Sequence, residues 1–108
     1  MTTSLTHHYA SLTELRLAYM AFLKGGGLFV PSEQPNRLGD RVELKVTLPG
    51  DAEPQRIIGP VVWLNPQADN QRPMGVGVAF AEGDQALRSR IERLLADTLG
   101  SGQLTWTL

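Results

Sequence analysis

Tyr19-Met20-Ala21-Phe22-Leu23-Lys24-Gly25-Gly26-Gly27-Leu28-Phe29-Val30-Pro31 is the stretch whose reading decides the fold. An apolar, aromatic segment runs into three consecutive glycines, then into a β-branched and aromatic run closed by proline. Glycine removes the side chain where a backbone must turn tightly or approach another surface. Residues 28–30 predict a strand entering a core, and Pro31 ends it. The chain reverses here. The glycines either cradle a ligand or make room for the fold.

Upstream, Leu5, His7 and Tyr9 alternate with Thr6, His8 and Ala10, which predicts a short first strand. His7 and His8 point to opposite faces of such a strand, and no other histidine completes a metal site. Ser11-Leu12-Thr13-Glu14 fits a capping box. Leu12, Leu15, Ala18, Tyr19 and Phe22 then follow at spacings of three and four, predicting a helix over about residues 12–20. Its aromatics either pack on a sheet or form a partly exposed contact surface.

Downstream, Val42, Leu44, Val46 and Leu48 alternate with Arg41, Glu43, Lys45 and Thr47, the pattern of a half-buried strand. Residues 56–64 read as the next strand, bulged or at an edge because Pro60 has no N–H. In Gly75-Val76-Gly77-Val78-Ala79-Phe80 one face carries Val76, Val78 and Phe80, the other only Gly75, Gly77 and Ala79. Small residues at every second position imply that something passes close over that face, as in a small curved barrel. Asp84 is an expected N-cap for a terminal helix over about 84–99, with a stripe of Leu87, Ile91, Leu94, Leu95, Thr98 and Leu99. Gly100 stops it, and a tail over 101–108 carries Leu104 and Trp106. Five strands, short turns and a terminal helix predict a mainly β domain, a small antiparallel barrel with a helix packed across it.

The 108 residues fit one domain, 1–108, able to bury about 60–70% of its unfolded surface without staples. A net charge of -1 with scattered lysines and arginines gives no footprint for nucleic acid. No apolar run approaches the roughly 20 residues of a membrane helix, and the N-terminus lacks the pattern of a signal peptide. Without cysteine there is no disulfide, thiolate metal site or cysteine nucleophile. A cytoplasmic protein is expected. No serine stands in a nucleophile elbow, and the glycine run leads into a strand rather than the helix of a dinucleotide or Walker motif. The expectation is a binding module, with no enzyme activity, cofactor or metal.

Lys24-Gly25-Gly26-Gly27-Leu28-Phe29-Val30-Pro31, Leu38-Gly39-Asp40, Val61-Val62-Trp63 and residues 75–80, in this order, resemble the PilZ domain. More narrowly, they resemble the short single-domain group of that family that serves bacterial type IV pilus assembly. The resemblance takes in Ala18-Tyr19-Met20 and Phe22 and extends through the terminal helix to the tail. It implies a six-stranded antiparallel β-barrel with a short N-terminal and a C-terminal helix, one strand more than the pattern above supplies. Most PilZ domains are receptors for cyclic di-GMP, through Arg-x-x-x-Arg before the barrel and Asp/Asn-x-Ser-x-x-Gly at the turn into the second strand. Paired guanidiniums suit phosphate and stack on guanine. With Gly27 at the last glycine, Phe22 stands at the Asp/Asn position and Lys24 at the serine. Arg16 is followed four residues on by Met20. Both motifs are broken, so cyclic di-GMP binding is expected to be weak or absent. The pilus-type group is implied to act by contact with the pilus extension ATPase and an EAL-domain cyclic di-GMP receptor. Tyr19, Met20, Phe22, Trp63 and Trp106 are the expected partner-binding residues. The alternative is a cyclic di-GMP receptor with a degenerate pocket.

Overall fold

A computed structural model describes residues 3–96 and 105–107. The expected helical residues 97–99 and tail residues 101–104 and 108 lie outside the described residues. In chain order the elements are strand β1 (Thr3–His8), helix α1 (Leu12–Ala18), strands β2 (Gly27–Pro31), β3 (Arg41–Thr47), β4 (Gln55–Asn65) and β5 (Gly75–Ala79), a 3₁₀ turn (Glu82–Asp84) and helix α2 (Gln85–Leu94).

The strands form one sheet in the order β1-β3-β4-β5-β2. Among the described residues there are five strands, and β1 runs parallel to β3, so the expected six-stranded antiparallel barrel is corrected to a curled, mixed half-barrel. The reason is topological. The chain leaves β1 through α1 and β2 before returning to its side, and a crossover of that length permits parallel pairing where a hairpin would not.

Strand β4 makes the curl. Residues up to Pro60 pair with β3, and Val61 onward pair with β5. Val61 gives its N–H to the Asp40 carbonyl and accepts from the Gly39 N–H, both 2.8 Å, on the β3 side. Pro60 therefore turns its donorless nitrogen the other way, just before the β5 ladder begins. The expected irregularity is present, but two residues on: Val61 faces Val78 and Trp63 faces Gly77, leaving Val62 as the extra residue of a bulge.

Strand β2 is the far edge. Phe80 N–H bonds the Gly26 carbonyl and Ser32 N–H the Met74 carbonyl, so even-numbered positions face β5 and odd ones face outward. That outward row is blunted at each point. The Gly27 carbonyl accepts from Met20 N–H (2.9 Å), the Phe29 carbonyl accepts the Tyr9 hydroxyl (2.8 Å), and Pro31 has no donor. The Tyr9 side chain is fully buried, which raises its pKa well above the usual tyrosine range. A side-chain bond thus bridges the seam from β1 to β2.

With seven residues, α1 is far below the about 12–15 that sustain an isolated helix, so packing must hold it. Leu15 and Ala18 are fully buried, and the Ser11 hydroxyl accepts from Glu14 N–H at 3.1 Å, a cap worth about 1 kcal/mol. The Glu14 carboxylate pairs with His7 Nε2 at 2.6 Å. The buried side of α2 is Ile91, with Leu95 just beyond its end. Arg90 clamps α2 to the turn after β3 by a bidentate pair with Asp51. Asp84 stands at the expected N-cap position of α2, but its side chain makes no cap bond to that helix. Its carboxylate accepts from Ala81 N–H at 2.8 Å and staples the 3₁₀ turn rather than capping α2.

Candidate functional site

The glycine turn joins the end of α1 to the start of β2. Tyr19 N–H closes the helix on the Leu15 carbonyl, and Tyr19 then bridges Leu28. Inside the loop, Gly26 N–H bonds the Leu23 carbonyl at 3.0 Å. Gly26 has φ +78°, and a Cβ there would lie 3.2 Å from both the Arg88 side chain and the Tyr19 hydroxyl. A Cβ on Gly27 would stand 2.6 Å from the Val78 carbonyl, an impossible contact. Gly25 meets only ordinary contacts. Gly26 and Gly27 serve close packing, against α2 and β5 respectively.

Three residues of α2 back the turn. Gln85 Nε2 donates to the Gly25 carbonyl at 3.2 Å, and Arg88 Nη1 donates to Gln85 Oε1 at 3.2 Å. The Tyr19 hydroxyl donates to Glu92 at 2.6 Å, and the same carboxylate lies 3.5 Å from Arg88 Nε. Burial, then this bond to a carboxylate, pushes the Tyr19 pKa up to about 12. Sequence reasoning missed this backing. Residues 85, 88 and 92 fall at helical spacing on one face, a signal overlooked beside the apolar stripe.

The outer side of the turn is aromatic. Phe22 is 44% exposed and meets Trp63 edge to face, with centroids 5.8 Å apart. Trp63 is half-buried, and its Cβ would lie 2.9 Å from a Cβ on Gly77. The small face expected on residues 75–79 is covered at Gly77 by Trp63 Cβ and the Met20 thioether, and at Gly75 by β2, through the Val30 carbonyl and the Phe29 ring. Exposed Val62 sits in the bulge beside Trp63, and exposed Leu38 lies in the turn bonded to Val61.

The expected contact residues divide. Tyr19 and Met20 are buried, at 2% and 0%, which corrects any reading of their side chains as surface: Tyr19 is drawn in to Glu92 and Met20 fills the space above Gly77. Phe22 and Trp63 come together. Trp106 lies apart from them, half-buried, its ring edge-on to Phe29 at 5.8 Å. Of the degenerate motif positions, Arg16 is half-buried in the last turn of α1, Met20 points inward, Phe22 and Lys24 are exposed, and Gly27 is buried at the start of β2. A separate cleft of about 210 Å³ opens at the opposite end of β2, lined by Ser32, Asn36, Leu64, Asn65 and Met74 among others. None of the described residues that line it is charged.

A curled β half-barrel carries a glycine turn docked on α2, with the Phe22–Trp63 pair on its outer side. The chain matches the PilZ domain model over residues 3–97 and belongs to the PilZ family, whose domains bind cyclic di-GMP or act as adaptors. No curated protein matches it. No helix among the described residues is long and apolar enough to cross a membrane.

Proposed function

We propose that this PilZ domain is a non-enzymatic adaptor in type IV pilus biogenesis and twitching motility. It acts in the cytoplasm by contact with the pilus extension ATPase and with an EAL-domain cyclic di-GMP receptor. The observation that carries this reading is Met20. It stands where the second arginine of the nucleotide motif belongs, and its side chain is fully buried against Gly77. That position sends a thioether into the core instead of a guanidinium toward a phosphate. Phe22, at the Asp/Asn position, presents an exposed ring on Trp63 instead of a hydrogen-bonding group. Lys24 keeps a cation, but one exposed lysine supplies a single phosphate contact rather than a pocket for two guanines.

An exposed Phe22 ring on a half-buried Trp63, backed by a hydrogen-bonded turn, suits a protein interface, where a few large side chains carry most of the energy. In a pull-down from lysate, the wild-type chain is expected to recover the extension ATPase or the EAL-domain receptor. With the purified partner, Trp63→Ala or Phe22→Ala is expected to cost about 2 kcal/mol, roughly 30-fold in Kd. Recovery of neither protein would sink the adaptor reading.

A further inference from the structure

Residues 17 and 29 lie in the two stems of the loop that carries Phe22: Leu17 is in the last turn of α1 and Phe29 sits in β2. The described C-terminal residues reach both stems. Trp106 N–H donates to the Leu17 carbonyl at 2.8 Å, and the Trp106 ring packs edge-on against Phe29 at 5.8 Å and 64°. The Leu17 carbonyl is one of the last four of a short helix, which have no later N–H of their own helix to accept. Thr107 beside it is fully buried, and its N–H is held by the Thr105 hydroxyl at 3.1 Å.

We infer that Trp106 is a clasp, a positioning residue that fixes the spacing of α1 and β2 and so sets the glycine-turn contact face. This rests on reading the Phe22–Trp63 surface as that face. Between the stems, the loop is closed by Met20 N–H on the Gly27 carbonyl and Gly26 N–H on the Leu23 carbonyl. Met20, Gly26 and Gly27 lie two or three residues from where Trp106 grips the stems, and Leu23 six. Trp106 thereby acts on the surface that residues 21–25 present between these bonds. A partner that takes hold of Trp106 would loosen that surface, and one that seats Trp106 more firmly would order it.

Amide hydrogen exchange on the full chain tests the clasp without any partner present. In Trp106→Ala, the Met20, Leu23 and Gly26 amides are expected to exchange at least tenfold faster. Amides of the β3–β4 ladder should change by less than twofold, and Trp106→Phe should stay within about threefold of wild type at the loop. Equal acceleration at loop and ladder would overturn the inference, since the tail would then only add global stability. No change at the loop would overturn it as well. Should Trp106→Ala not fold, Trp106→Leu is read by the same comparison, and failure of both to fold overturns it. A loosened loop with no partner recovered would instead count against the adaptor reading and leave the clasp standing.

Discussion

Replacing Gly77 with alanine puts a methyl group 2.6 Å from Met20 Sδ, 2.8 Å from its Cε and 2.9 Å from Trp63 Cβ. A thioether end can swing aside in open space, but Met20 is fully buried, so the shift must propagate into neighbours. Overpacking of this kind costs about 1–3 kcal/mol. Met20→Ala alone removes a buried side chain and costs about 2–5 kcal/mol. In the double variant the methyl added at position 77 enters space that Met20 has vacated, so the combined loss should fall short of the sum by about 1 kcal/mol or more. The contact with Trp63 Cβ keeps the compensation partial. Urea unfolding of the four chains reads this directly, since 1 kcal/mol moves the midpoint by about 0.3–1 M at an ordinary slope. Additivity within about 0.5 kcal/mol would refute the reasoning, because it would mean that Met20 does not lie over Gly77.

Three further outcomes follow from the same geometry. Gly25→Ala should leave stability within about 0.5 kcal/mol, because its Cβ meets only ordinary contacts, whereas Gly27→Ala should cost well over 1 kcal/mol through its clash with the Val78 carbonyl. Thermal melts of the two variants check this. Both tyrosines have raised pKa values, Tyr19 up to about 12 and Tyr9 higher, above the unfolded value of about 10. Their contribution to stability is full below pH about 10 and is lost as pH rises through the folded values, so tyrosinate absorbance at 295 nm should stay low near pH 10 and appear with unfolding. Half-ionisation of the folded chain at that pH would contradict it. The Arg90 guanidinium holds the Asp51 carboxyl below its usual range, so the pair stabilises above pH about 3.9 and fades as pH falls through the lower folded value. The stability difference between wild type and Asp51→Asn should therefore persist at neutral pH and shrink in strong acid.

Local patterns in the chain carried much of the fold. Alternation of Val42, Leu44 and Val46 with polar neighbours gave β3, the Ser11–Glu14 spacing located the start of α1, and the row Gly75, Gly77, Ala79 announced a close cover over β5. What local pattern could not carry was pairing between distant segments. Nothing in Thr3–His8 says that its partner is β3 or that the two run parallel, and nothing around Pro60 says that β4 changes partners there. At the site, the reversal at the glycines was legible. The inward turn of Tyr19 and Met20 was not, because it depends on Glu92 in α2 and on Gly77 in β5. Trp106 was expected as a partner-binding residue of the tail; its seat on Leu17 and Phe29 depends on residues about ninety and about eighty positions away in sequence.

The most direct test of a protein-contact face in place of a nucleotide pocket is a calorimetric titration of the chain with cyclic di-GMP. With Met20 buried and Phe22 exposed at the two motif positions, the expected result is no saturable heat, or binding too weak to define. One-site binding of sub-micromolar affinity would contradict the account.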